Sequence, residues 1–146
     1  MRKKLLENLA VSFLFFLIVA IFRFKFPLWL LFFGLGGLLG TFILELEGIM
    51  SIKFEIKSRV FHTFLFQVIF AVLTLYVLTS TASAIASGIS FFAYLHLLKD
   101  QAADLSRENL AGWGGFFGLS VPRNLQNIWV GAGTVFLFYL LFLLIR

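Results

Sequence analysis

The sequence predicts an all-α fold, a polytopic bundle of five transmembrane helices in one domain over residues 1–146, with the N-terminus in the cytoplasm. Composition points to this class first, because 61% of the residues are hydrophobic and only 13% are charged, against about 25% charged residues in soluble domains. The mean hydropathy is +1.01. The apolar residues also gather in five runs, each close to the roughly 20 residues that a helix needs to cross a bilayer.

The first two runs, 5–22 and 27–45, are predicted to be the first two spans. Arg23 and Lys25 follow the first run, with no small-residue cleavage site after it, so the run is predicted to be an uncleaved span rather than a secretory signal. The second run contains Gly36 and Gly40 at GxxxG spacing, which indicates a close contact between helices.

The other three runs complete the predicted bundle. Spans three and four, 60–80 and 82–98, form a hairpin around the uncharged turn TSTAS, and the small residues of span four indicate packing inside the bundle. The segment 99–126 is predicted to be a cytoplasmic or interfacial loop, whose first part could extend span four as a helix. Pro122 stops any helix before span five, 127–145.

The basic residues predict the orientation. With the N-terminus inside, nine of the twelve Lys and Arg residues lie on the cytoplasmic side, as the positive-inside rule expects. This arrangement predicts a multi-pass protein of the cell membrane, a prokaryotic inner membrane, whose partners are the lipid bilayer and either other membrane subunits or further copies of the chain. No nucleic-acid partner is expected.

The predicted topology places the titratable side chains of three helix ends at the cytoplasmic face. His96 and Asp100 are four residues apart and share a helix face, and His62 lies one turn inside span three. Glu45 and Glu47 end span two, where Gly48 could end the helix and let both carboxylates turn toward one ion. The alternative for each group is a solvated helix end or a histidine that donates one hydrogen bond to a neighbouring helix.

These five side chains have the donor types of a divalent-metal site. Imidazole and carboxylate groups are ligands for hard and borderline divalent ions, and such an ion would activate a water molecule. We therefore predict a divalent metal ion held by Glu45, Glu47, His62, His96 and Asp100, with Glu45 or Glu47 as general base. The chain has no cysteine, which excludes thiolate nucleophiles and cysteine-based metal sites.

The order of these residues resembles the predicted inner-membrane metal-dependent hydrolases, a family of small multi-span proteins. That family's pattern runs L-P-D-x-D-H, then H-R-x-x-T-H-S, then H-x-x-x-D. ILELEG, KSRVFHTFLF and HLLKD stand at these three places, over roughly residues 34–105. Gly48 stands where the family has one histidine, and Lys57 or Ser58 stands near another.

The resemblance implies hydrolysis of a lipid-linked or phosphorylated substrate at the cytoplasmic membrane face. Two alternatives stay open. A non-catalytic scaffold or accessory subunit of a larger complex would explain the 21 Phe residues and the small-residue stripes. A small transporter or channel would need polar groups at the midplane of several spans.

Overall fold

A computed structural model of the chain gives five α-helices in chain order: α1 Arg2–Arg23, α2 Pro27–Lys53, α3 Phe64–Ser80, α4 Ala84–Ser106 and α5 Arg123–Ile145. The structure describes residues 2–53, 63–106 and 122–146, with side chains described from residue 6 to 46 and throughout the other two ranges. No strand occurs within these ranges, so the predicted all-α fold with five helices is confirmed.

Local sequence features set the helix ends. Pro27 opens α2, a position where the missing N–H of proline costs nothing. Thr63 caps α3, because its side-chain oxygen accepts a hydrogen bond from the Phe66 N–H at 3.3 Å. A three-residue turn joins α1 to α2, with the Phe26 N–H donating to the Arg23 carbonyl at 3.0 Å.

Helix α4 forms the centre of the bundle. All eight side chains from Phe91 to Leu98 are buried, whereas α1 and α5 leave many large apolar side chains exposed, such as Phe13 and Val135. The prediction that span four packs inside the bundle is confirmed. This central position also carries the polar end of α4 into the protein interior.

Glycines bring α2 and α4 into backbone contact. A methyl group added at Gly36 or Gly88 would overlap the backbone carbonyl oxygen of Ile85 or Phe33, and at Gly40 it would lie 2.5 Å from the Ile89 oxygen. Only glycine permits this approach, so the close helix contact predicted from the GxxxG spacing is confirmed.

Helices α2 and α5 run further than the sequence indicated, whereas the extension of α4 is the one that the sequence allowed. Helix α2 continues through Gly48 to Lys53, so the predicted helix end at Gly48 is wrong; one glycine costs a helix only about 1 kcal/mol, which the neighbouring turns can offset. Helix α4 continues to Ser106 and α5 begins at Arg123. The predicted loop 99–126 is therefore helical at both ends, and its Trp- and Gly-rich part lies outside the described residues.

Among the described residues, three helices are long and apolar enough to cross a membrane, over Leu6–Arg23 in α1, Pro27–Leu46 in α2 and Arg123–Ile145 in α5. Helix α3 is apolar but has 17 residues, and α4 carries more polar residues and lies mostly inside the bundle. The exposed apolar faces of the outer helices suit a lipid environment, so the predicted membrane association is supported.

Candidate functional site

Three helices bring polar side chains to one end of the bundle. Asn8 lies near the start of α1, Glu45 lies in the second half of α2, and His96, Lys99 and Asp100 lie in the second half of α4. We call these five residues the polar cluster. His96 and Asp100 share a face of α4 because they are one helical turn apart, and α4 packs closely enough on α2 to bring both toward Glu45.

His96 lies between two carboxylates. Its Nε2 atom is 3.4 Å from Asp100 Oδ2 and 3.8 Å from Glu45 Oε1. An imidazole in this position can give a proton to a carboxylate or receive one. The expected convergence of Glu45, His96 and Asp100 at one end of the bundle is thus present, although 51 residues separate Glu45 from His96 in the chain.

Asn8 connects the carboxylate of α2 to the cation of α4. Its Nδ2 group donates to Glu45 Oε1 at 2.6 Å and lies 3.4 Å from His96 Nε2. Its Oδ1 atom accepts a hydrogen bond from Lys99 Nζ. An ammonium group can only donate and an ionised carboxylate can only accept, so these neighbours fix the orientation of the Asn8 amide.

Most of the polar cluster is removed from the surface. Asn8, His96 and Asp100 are 2 to 4% exposed, whereas the side chain of Glu45 keeps 14% of its surface exposed and Lys99 is half-buried. Burial of an unpaired charge is expensive, and the Asn8 bridge to Lys99 offsets this cost for Glu45. Within the polar cluster, Glu45 and Lys99 are the charged groups that a ligand can reach most easily.

The structure locates three of the five predicted site residues together. The side chain of Glu47 and the whole of His62 lie outside the described residues, so their place relative to the polar cluster stays a prediction. Asn8 and Lys99 were not predicted. Asn8 had a usable signal, since a polar side chain inside an apolar run is a functional candidate, but its partners could not be read from the chain.

The described residues do not form a metal site as they stand. Two ligand atoms that are each about 2.1 Å from a tetrahedral ion lie about 3.4 Å apart. His96 Nε2 and Asp100 Oδ2 have this spacing, whereas Glu45 Oε1 is farther from His96 Nε2. Glu45 Oε1 also already accepts a hydrogen bond from the Asn8 amide. No group of three or more His, Cys, Asp or Glu side chains that could hold a metal ion occurs in the described part of the chain. The nearby Lys99 ammonium also repels a metal ion.

A second polar group lies at the same end of the bundle, between α3, α4 and α5. The indole Nε1–H of Trp129 donates to Gln67 Oε1 at 2.9 Å and to Gln101 Oε1 at 3.1 Å. Because an indole nitrogen only donates, both amide oxygens must face it and both amide nitrogens point elsewhere. Both glutamines are at most 3% exposed, so this group links three helices through a buried hydrogen-bond network.

Comparison with family models, curated proteins and solved structures finds no match to this chain.

Proposed function

We propose that this chain is a multi-pass protein of a prokaryotic inner membrane that acts on the polar group of a lipid-linked or phosphorylated substrate at the cytoplasmic face. One observation carries the proposal: three residues chosen from the sequence as site residues lie together. The carboxylates of Asp100 and Glu45 are 3.4 Å and 3.8 Å from Nε2 of His96. Ionisable residues within membrane-spanning helices are rare and costly, and they usually mark sites of function.

The polar cluster supplies the groups that hydrolysis needs. Glu45 is the more exposed of the two carboxylates in the polar cluster and would serve as general base, taking a proton from the attacking water. His96 would return a proton to the leaving oxygen, with Asp100 holding the imidazole in position. The Lys99 ammonium would attract a phosphate group of the substrate.

The metal-dependent form of this proposal needs further ligands. His96 and Asp100 supply two donors with suitable spacing, and Glu47 and His62 are the additional donors that the family resemblance implies. When bound, a divalent ion would polarise the phosphoryl or carbonyl oxygen and lower the pKa of a water molecule.

Elemental analysis tests the metal-dependent form. The protein is purified in detergent and assayed for Zn, Mn, Fe, Ni and Co, beside the double variant His62→Ala/His96→Ala, whose helicity is checked by circular dichroism. We expect about one metal ion per chain in the wild type and none in the folded variant. Absence of metal from the wild type, even after reloading, would contradict the metal-dependent form.

A second candidate function is a non-catalytic accessory subunit of a membrane complex. It is favoured by the Asn8 bridge, which joins Glu45 to Lys99 and so satisfies the polar cluster without any ligand. A metal-free wild type, with unchanged complex formation and lower stability in the His96→Ala variant, would support this candidate. Loss of a hydrolytic activity in the same variant at unchanged stability would contradict it.

A further inference from the structure

An apolar groove lies between α1 and α2 and leads toward the polar cluster. Its main part has a volume of about 640 Å³, within the roughly 300–1,000 Å³ of small-molecule sites. Its walls are apolar residues of α1 and α2, among them Leu6, Ala10, Phe13, Leu31 and Leu35, and its floor includes Phe92 of α4.

The groove continues along α2 in the direction of Glu45. A second, smaller part of about 280 Å³ shares Leu9 and Leu38 with the first part and adds Thr41. Leu38, Thr41 and Glu45 follow one another at spacings of three and four residues, so they lie on one face of α2. The Glu45 carboxylate, which is 14% exposed, therefore stands beyond the far end of the groove.

The length of the groove suits one acyl chain, and its α2 lining is centred on the apolar span Pro27–Leu46. From Leu30 to Thr41, the lining residues of α2 span about 17 Å at 1.5 Å per residue, close to half of the ~30 Å hydrocarbon core. The groove opens outward, because its wall residues Leu6, Phe13 and Leu38 are each more than half exposed. An occupant that enters from the bilayer would therefore reach the polar cluster with its head.

We propose that this groove binds one acyl chain of a phospholipid from the leaflet on the polar-cluster side, with the headgroup of that lipid at Glu45 and Lys99. The groove lining is apolar along its length apart from the hydroxyls of Ser12 and Thr41, which lie 3.4 Å from each other, so it suits an acyl chain. At its end, a carboxylate and an ammonium group, both partly exposed, complement a headgroup that carries both signs of charge, such as phosphoethanolamine. The headgroup placement rests on the proposed function; the chain placement does not.

Photolabelling tests the inference. The probe is phosphatidylethanolamine with a photoreactive diazirine on one acyl chain, added to the full-length protein in vesicles of unlabelled phosphatidylcholine. Mass spectrometry of peptides then locates the label. We expect saturable labelling concentrated on residues 6–16 and 30–42. Uniform labelling of every lipid-facing helix, rising in proportion to the probe, would overturn the inference, because that is the result for lipid that merely surrounds the protein.

A matched pair of variants separates the groove from the rest of the lipid-facing surface. Ala10 lines the groove, and Ala132 is also an exposed alanine, on α5 and outside the groove. Ala10→Trp should weaken labelling of the groove about tenfold, the loss expected if the ring displaces about two methylene groups of the chain. Ala132→Trp should leave groove labelling at the wild-type level, and equal effects of the two substitutions would overturn the inference.

A second variant keeps the inference testable, and the labelling readout is independent of the proposed function. If Ala10→Trp does not fold, Leu9→Phe places a smaller ring where the two parts of the groove meet and carries the same expectation. Photolabelling requires neither metal nor turnover. If the groove is labelled but the protein shows no metal and no hydrolysis, this inference stands and the proposed function fails. If the protein hydrolyses a substrate but labelling is uniform, the proposed function stands and this inference fails.

Discussion

At the scale of single residues, Asn8 holds the polar cluster together. It is the one described side chain that contacts Glu45, His96 and Lys99, which lie on two other helices. Its amide supplies both a donor and an acceptor, so it can stand between a carboxylate and an ammonium group without leaving either unpaired. Neither a carboxylate nor an alkyl side chain of similar size can do both.

Replacement of Asn8 is therefore expected to destabilise the bundle. Asn8→Leu keeps the approximate size but removes both bridging hydrogen bonds and leaves Glu45 paired less well, at a cost of about 1–3 kcal/mol in the free energy of unfolding. The measurement is unfolding in detergent followed by circular dichroism. Asn127→Leu, the same substitution at an exposed position of α5, is the control and should change stability by less than about 0.5 kcal/mol. Equal stability of the two variants would show that the bridge contributes nothing.

At the scale of helices, the contact of α2 with α4 determines where the site residues meet. Gly36, Gly40 and Gly88 let the two backbones touch, and this approach carries His96 toward Glu45. The spacing of the small residues predicted the contact, because glycines on one face of an apolar helix usually mark the place where another helix approaches its backbone. The extension of α2 past Gly48 was not predicted, because Gly48 was interpreted as a helix end. A single glycine is only a weak signal for a helix end when apolar residues follow it.

Two glycine substitutions test the helix contact. Gly88→Ala places a methyl group against the Phe33 carbonyl of α2 and should cost about 1–3 kcal/mol, because backbone atoms cannot move aside as a side chain can. Gly131→Ala is the control, since nothing lies within 4 Å of a methyl group there. It should stabilise α5 by up to about 1 kcal/mol. The measurement is the unfolding midpoint of each variant relative to the wild type in one detergent. A shift of both midpoints in the same direction would contradict this account.

At the scale of the whole molecule, side-chain contacts fix the relative directions of the helices. Asn8 near the start of α1 meets Glu45 of α2 and His96 of α4, both in the second halves of their helices. At the opposite end, Arg23 Nε donates to the Leu144 carbonyl near the end of α5, at 2.8 Å. Odd-numbered and even-numbered helices of this set therefore run in opposite directions, as a bundle of alternating spans requires.

The sequence could predict this arrangement only in part. Composition and charge bias were enough for the fold class and for the gathering of Glu45, His96 and Asp100 at one end. The Asn8 bridge and the groove could not be predicted from the sequence, because each depends on the distance between α1 and α2 and on their relative rotation. Apolar residues on a membrane helix look alike in sequence whether they face lipid, another helix or a groove.

The alternating directions, combined with the charge bias, predict which side of the membrane each turn occupies. The chain contains no cysteine, so single cysteines report accessibility without background. Lys25→Cys and Ala82→Cys lie in turns at the end away from the polar cluster and should react with a membrane-impermeant maleimide added outside intact cells. Asn124→Cys, near the start of α5, should react only after permeabilisation, and the unmodified chain should not react at all. Labelling of Asn124→Cys in intact cells, with protection of the other two, would invert the topology. Protection of Ala82→Cys alone would show that α3 and α4 do not cross the bilayer as separate spans. A substrate from the cytoplasm would then have to reach His96 by a route other than the cytoplasmic ends of these two helices.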